Sequence, residues 1–270
     1  MSTASEFYHL TTSSAGRLTL FDTETVLRRC VTALISRIRT TGLMFSLVDD
    51  HFHYVLEGTR EEVGLIARAV SNSIRRLSGR KLSPTYIQPV ESRRHIARLI
   101  EYLALQSERH GLLGHPALYT GSSFLDLIGA RACGFPATLF LKFPRLRRAQ
   151  LYETVGLAPP LSELSLDALR GESAERLLAL AEAIYAYGGD RGSQPDTSRR
   201  VRRLVAGVGR ALEMRDEELS RILGVAPRSV RRYAASMEVR AELPSGCRAL
   251  LTRYLLEQSV QRAKASQAAN

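Results

Sequence analysis

The order in which apolar periodicity changes along residues 7–109 constrains the fold more than any other feature. Phe7-Tyr-His-Leu-Thr-Thr12 is aromatic and β-branched and predicts a strand. Ser13-Ser-Ala-Gly-Arg17 breaks it, and Leu18-Thr-Leu-Phe21 is a short apolar continuation. Behind Asp22 or Thr23 as N-cap, Val26, Leu27, Cys30, Leu34 and Ile38 recur at helical spacing, and Gly42 ends that helix. Leu43–Val48 and His51–Leu56 predict two strands joined by an Asp49-Asp50 turn. Thr59-Arg-Glu-Glu62 reads as a capping box. The helix it opens carries Val63, Ile66, Val70, Ile74 and Leu77 on one face. Tyr86–Val90 predicts a fourth strand. Ser92 caps a further helix, with Ile96, Leu99, Ile100 and Leu103, running to about Arg109 before Gly111. Strand, helix, strand, strand, helix, strand is the ferredoxin-like order, here with one helix added. Tight strand connections imply a mostly antiparallel sheet with helices on one face.

Chemistry concentrates at His51-Phe-His53. Side chains alternate across a strand, so both imidazoles project from one face and Phe52 from the other. Two imidazoles on one face make half of a metal site, or simply two histidines on an ordinary strand. On the added helix, Tyr102 and Gln106 stand four residues apart, one above the other. A tyrosine hydroxyl can act as a nucleophile, and a glutamine carbonyl can serve as a third ligand to a hard divalent cation. Spacing alone fits equally a half-buried core tyrosine and a solvated glutamine.

The formal charge of +11 favours a polyanionic partner, nucleic acid before an anionic membrane surface. Arg68, Arg75 and Arg76 lie on the polar face of the second helix, and Arg80 and Lys81 follow it. They suit nucleic-acid backbone contacts and would serve equally as solvated charges. Cys30, Cys133 and Cys247 are odd in number and far apart, which excludes a disulfide framework and fits a reducing compartment. The N-terminus has no basic segment followed by an apolar core, and no apolar run reaches the length of a membrane span, so a cytoplasmic protein without membrane partners is expected.

Beyond residue 130, Phe140-Leu-Lys-Phe-Pro-Arg-Leu-Arg-Arg148 mixes cations and aromatics, compatible with DNA backbone contact or a plain surface helix. Leu166–Tyr187 predicts an amphipathic helix, Gly188–Pro195 a linker, and Ser198–Arg203 the opening of a basic helix. Asp216–Tyr233 reads as a helix-turn-helix. Leu219, Ile222 and Leu223 form the apolar face of its first helix, Gly224 makes the turn, and Val225 and Val230 pack inside. Arg228, Ser229, Arg231 and Arg232 lie on the exposed face of its second helix, where arginines can reach guanine edges or phosphates. A helical hairpin used only for packing would have the same apolar pattern. Arg248–Gln258 closes the chain as a helix, with Ala263–Asn270 expected to fray. The expected domains are residues 1–130, a connector over 131–194, and an all-α helix-turn-helix domain over 195–262.

The ordered series Tyr8-His-Leu-Thr-Thr12, Gly16-Arg17, Phe21-Asp22, Val48-Asp-Asp-His-Phe-His-Tyr-Val-Leu56, Tyr102-Leu-Ala-Leu-Gln-Ser-Glu-Arg-His-Gly-Leu112, Pro116-Ala-Leu-Tyr119 and Ser122-Ser123 resembles the single-tyrosine HUH transposases, in particular the REP-associated tyrosine transposases. The resemblance spans roughly residues 6–130. It implies an α+β HUH nuclease fold, with Tyr102 as nucleophile and His51, His53 and Gln106 as ligands to Mg²⁺ or Mn²⁺. It further implies endonuclease and strand-transfer chemistry of the kind used in transposition, on single-stranded or hairpin DNA, through a 5′-phosphotyrosine intermediate. Duplex DNA would be the partner of the helix-turn-helix, and the protein a monomer or homodimer. This chain has Asp49-Asp50 where the family has Pro-Asn, Gln106-Ser107 for Asn-Pro, and His110-Gly111 for Ala-Gly. Those departures leave open a domesticated relative that binds DNA as a regulator without cutting it. An RNA-binding protein of ferredoxin-like fold is a weaker third reading, since the aromatic pair expected on adjacent strands of such a sheet is not evident.

Overall fold

A computed structural model describes residues 6–132, 135, 138–160, 164–186, 194–236 and 244–268. It divides into two compact units, Met1–Ile128 with Gly134–Pro159, and Gly129–Cys133 with Pro160–Asn270.

The first unit follows the predicted order: β1 (Glu6–Ser13), α1 (Glu24–Ile38), β2 (Gly42–Val48), β3 (His51–Gly58), α2 (Arg60–Ser78), β4 (Tyr86–Pro89), α3 (Arg93–Ala104) and α4 (Gln106–Arg109). The strands form one sheet in the order β2-β3-β1-β4, every neighbouring pair antiparallel. Thr23 caps α1 and Ser92 caps α3 through their hydroxyls, and both halves of the Thr59–Glu62 capping box are made.

Register decides which side chains share a face. His53 lies opposite Thr11 on β1 and Ser46 on β2, and His51 opposite Ser13 and Val48. The other face carries Leu10, Phe45, Leu47, Phe52, Tyr54 and Leu56, all fully buried. Helices α1 and α2 pack on that apolar face: Ser71 of α2 and Thr12 of β1 both hydrogen-bond the Thr85 hydroxyl, at 3.1 and 2.8 Å. The added helix α3 lies on the opposite face, over the histidines. The expectation of helices on one face therefore holds for the two crossover helices and not for α3. With helices on both faces, a histidine pair that a one-sided sheet would leave in water becomes nearly solvent-free.

The free edge of β2 is closed by the segment following α4. Leu47 N–H donates to Gly121 C=O at 2.9 Å, Ser123 N–H to Phe45 C=O at 3.0 Å, and the Tyr119 hydroxyl to Leu47 C=O at 2.6 Å. A Cβ on Gly121 would sit 2.5 Å from the Leu47 carbonyl oxygen, so only glycine permits this approach. The Pro116–Ser123 stretch thus blunts an edge that would otherwise be open to pairing with another chain. Beyond it come α5 (Phe124–Ile128), α6 (Thr138–Lys142) and α7 (Arg148–Thr154). The basic–aromatic stretch over 140–148 is no single helix: it ends α6, turns, and starts α7, with Lys142 paired to Glu57 at 2.7 Å and Arg148 over the Phe140 ring.

The second unit contains α8 (Ala174–Tyr185), α9 (Gln194–Ala211), α10 (Asp216–Leu223), α11 (Pro227–Ala235) and α12 (Ser245–Ala268). Its core joins Leu177, Leu180 and Ile184 of α8 to Leu204 and Val205 of α9, Leu219 and Leu223 of α10, Val230 of α11 and Leu250 of α12. The predicted helix over 166–187 is split: a 3₁₀ turn at Leu166–Leu169 is separated from α8 by Gly171, whose φ of 85° no helix accommodates. Helix α9 starts at Gln194, ahead of the expected Ser198. Of the expected linker, residues 188–193 lie outside the described residues, and Gln194 and Pro195 already belong to α9. Helix α12 continues to Ala268, past the expected fraying point. Helices α10 and α11 are joined through Gly224 in the left-handed region, with Pro227 in the first turn of α11. Among the described residues no helix is long and apolar enough to cross a membrane.

Candidate functional site

The site is built on the histidine face of β3. His51 and His53 are 6% and 3% exposed, and their rings meet edge to face with centroids 4.7 Å apart. Each has its Nδ1 engaged. His51 Nδ1 lies 2.6 Å from Asp50 Oδ1. An ionised carboxylate only accepts, so His51 Nδ1 donates. Burial would raise the Asp50 carboxyl, but the His51 hydrogen bond and charge, and Arg17 at 3.2 Å, outweigh it and hold it below its ordinary range. His53 Nδ1 lies 2.9 Å from Thr11 Oγ1 and 3.1 Å from His9 Nε2. Its Nε2 faces the Tyr102 hydroxyl at 3.4 Å.

Burial, assisted by the neighbouring His51, His9 and His110, lowers the His53 pKa to about 2. Burial and His95 lower that of His9 to about 4. Both imidazoles are therefore neutral at physiological pH, the form in which histidine binds metals or accepts a proton.

Helix α3 supplies Tyr102. Its apolar stripe Ile96, Leu99, Ile100 and Leu103 is buried, and Tyr102 emerges half-buried beside it, with its ring 5.2 Å from that of His53. The Arg109 guanidinium lies 5.1 Å from the Tyr102 ring centroid, a cation beside the phenol. One expectation fails locally: Tyr102 and Gln106 do not share a continuous helix. Leu105 takes φ −97° and ψ 6°, ending α3 and starting the short α4. Gln106 is nonetheless buried, at 1% exposure, and its Oε1 has no hydrogen-bond partner among the described residues. A buried carbonyl oxygen without a partner is costly, and a cation is one way to satisfy it.

A second group lies on the Asp50 side of His51. The ligand atoms of Asp49, Asp50, His51 and His110 all lie within 4.8 Å of one another, a set able to hold a metal ion. His110 follows α4 and packs its ring 4.8 Å from that of His51.

The other expected residues lie elsewhere. Arg68 and Arg75 are exposed on α2 and line a cleft of about 430 Å³ with Ser71, Asn72, Thr85 and Ile87. Arg76, Arg80 and Lys81 are exposed at or just beyond the end of α2. Since α2 packs on the apolar face of the sheet, its cations line a different surface from the Tyr102 site. In the second unit Arg228 and Arg232 are exposed and Ser229 is half-buried. Arg231 is exposed but pairs with Asp216 at 2.7 Å, a contact that competes with any external anion.

Sequence reasoning missed His9, Thr11, Arg109 and His110, and Asp50 as a partner of His51. The signal for His9 and Thr11 was the β1–β3 register, which no single strand reveals. Arg109 stands seven residues after Tyr102 and His110 eight, both close to whole helical turns.

No family model matches the chain, and no curated protein matches it. Among solved structures, one described as the "Structure of the REP associates tyrosine transposase bound to a REP hairpin" aligns at 13% identity with a TM-score of 0.39, covering 59% of this chain and 89% of that one.

Proposed function

We propose that the chain is a metal-dependent endonuclease and strand transferase for single-stranded DNA, with Tyr102 as nucleophile. The observation that carries this reading is the Tyr102 hydroxyl 3.4 Å from Nε2 of a neutral, buried His53, whose ring meets that of His51 edge to face. The Arg109 cation over the Tyr102 ring and the partnerless Oε1 of buried Gln106, four residues on in sequence, support it.

His51, His53 and Gln106 would hold Mn²⁺ or Mg²⁺, the imidazoles favouring the former. When bound, the cation supplies Lewis acidity to the scissile phosphodiester. Asp50 and Thr11 fix the ring orientations by holding Nδ1 of each histidine. Tyr102 attacks phosphorus: the Tyr102 O–P bond forms as the P–O3′ bond breaks, the phenolic proton is lost, and the 3′ oxygen leaves as a hydroxyl once protonated. The product is a 5′-phosphotyrosine link, and attack by a second 3′-hydroxyl reverses the step. Arg109 places positive charge beside the developing phenolate and the phosphate. Arg68, Arg75, Arg76, Arg80 and Lys81 serve as backbone contacts on the α2 side. Arg228, Ser229 and Arg232 serve the helix-turn-helix on duplex DNA, with Arg231 available only if its pair with Asp216 opens.

The test is cleavage of a pool of end-labelled single-stranded and hairpin DNAs with Mn²⁺. Strand release that needs both metal and Tyr102 supports the reading. DNA binding without cleavage across a broad pool replaces the enzyme with a DNA-binding regulator.

A further inference from the structure

We propose that Asp49, Asp50, His51 and His110 form a separate site for a borderline divalent transition ion, of the Zn²⁺, Co²⁺ or Mn²⁺ class, on the Asp50 side of His51. The proposal goes beyond strand transfer and does not depend on it.

Three observations carry it. The first is convergence: the four side chains bring their ligand atoms within 4.8 Å of one another from two stretches distant in sequence, the β2–β3 turn with the first residue of β3, and the residue after α4. Metal–ligand bonds of about 2.0–2.2 Å put adjacent ligand atoms roughly 3–3.5 Å apart, so a pair at the 4.8 Å limit closes by about 1.3–1.8 Å to complete a shell.

The second is an oxygen without a hydrogen bond. Asp49 Oδ1 is shielded from solvent and has no hydrogen-bond partner among the described residues. His110 Nδ1 lies 3.0 Å from it, within ion-pair distance, on an Asp49 side chain that is 43% exposed as a whole. The shielded oxygen thus sits beside an imidazole nitrogen without a hydrogen bond, whereas His51 Nδ1 and Asp50 Oδ1 make one at 2.6 Å.

The third is charge and donor type. Two carboxylates balance a divalent ion, whereas His51, His53 and Gln106 are all neutral ligands. A set of two imidazole nitrogens and two carboxylate oxygens suits Zn²⁺, Co²⁺ or Mn²⁺ better than Mg²⁺ or Ca²⁺. Asp50 can ligate through Oδ1 while Arg17 holds Oδ2 at 3.2 Å.

His51 links this site to the Tyr102 side. A neutral imidazole has one lone pair. If Nδ1 binds the ion here, Nε2 carries the proton and cannot also ligate an ion shared with His53. The two sites therefore exclude one another, and the chain takes up one ion through His51, not two. An ion held here withdraws His51 from the pair with His53.

The experiment is a titration of the chelator-stripped full chain with Co²⁺, followed by the visible d–d absorption of the bound ion, with Zn²⁺ competition and no DNA present. Wild type is compared with Asp49→Asn, His110→Gln and His53→Gln, each checked for a cooperative thermal melt in chelator and titrated well below its midpoint. The proposal predicts about tenfold or greater weakening in Asp49→Asn and in His110→Gln, with His53→Gln binding within about threefold of wild type. Asp49→Asn and His110→Gln binding as wild type overturns it, as does failure of wild type to bind Co²⁺. The first of those results, combined with loss of binding in His53→Gln, would leave the strand-transfer reading intact.

Discussion

Acid should destabilise this protein through two neutral histidines, His53 buried and His9 half-buried, and removing one of them should remove its share. His9 and His53 have folded-state pKa values lowered to about 4 and about 2, mainly by burial. In the unfolded chain both titrate near 6.5. A lowered folded pKa means that the unfolded state binds the proton first, so stability is full above about pH 6.5 and is lost as pH falls toward the folded values. Between about pH 7.5 and pH 5 each histidine costs about 2 kcal/mol, at roughly 1.4 kcal/mol per pH unit once the unfolded imidazole is charged. Together they cost about 4 kcal/mol, a large part of a stability of about 5–15 kcal/mol. The assay is urea unfolding at the two pH values in chelator, with a probe in the first unit, on wild type and His9→Gln. Other titrating groups cancel in the comparison. His9→Gln should be less stable than wild type at pH 7.5 but should lose about 2 kcal/mol less on acidification. Burial dominates the His53 shift, so its share persists in the variant. An identical loss in the two proteins would refute the assignment of His9 as a neutral base.

Phe52→Ala empties a fully buried position on the apolar face and should cost about 3–5 kcal/mol in urea unfolding without changing the histidine face. Thr59→Ala removes a hydroxyl that accepts from the Glu62 N–H and donates to the Glu62 carboxylate, and should lower stability by about 1 kcal/mol. The double change Arg68→Ala with Arg75→Ala should weaken single-stranded DNA binding and lower the slope of log affinity against log salt by about 1.4, leaving the melt nearly unchanged, because both side chains are exposed.

The first unit was legible in the sequence where local rules decide. Helix starts at Thr23, Thr59 and Ser92, the hairpin around Asp49-Asp50, and the shared face of His51 and His53 follow from capping and period-two alternation, which act within a few residues. What was not legible depends on partners distant in sequence. The sheet register puts Thr11 and His9 beside His53, and no periodicity within β1 signals that. Leu105 keeps an apolar pattern that continues the helix, so the break before Gln106 leaves no trace in composition. The Pro116–Ser123 stretch reads as a motif, but its work on the β2 edge depends on a glycine sitting against a carbonyl of another element. At Gly171, by contrast, the signal was local and was outweighed by the leucine spacing around it. The aspartates and His110 differ from the resembled family's residues at three positions, and the structure gathers all three around one imidazole.

The most direct measurement of the central claim is isolation of a covalent protein–DNA adduct. Wild type and Tyr102→Phe would be incubated with single-stranded and hairpin oligonucleotides and Mn²⁺, denatured, digested and analysed by mass spectrometry. The account predicts a 5′-phosphoryl nucleotide on the peptide containing Tyr102, absent with chelator and absent in Tyr102→Phe. Cleavage that persists in Tyr102→Phe, or an adduct on another residue, would contradict it.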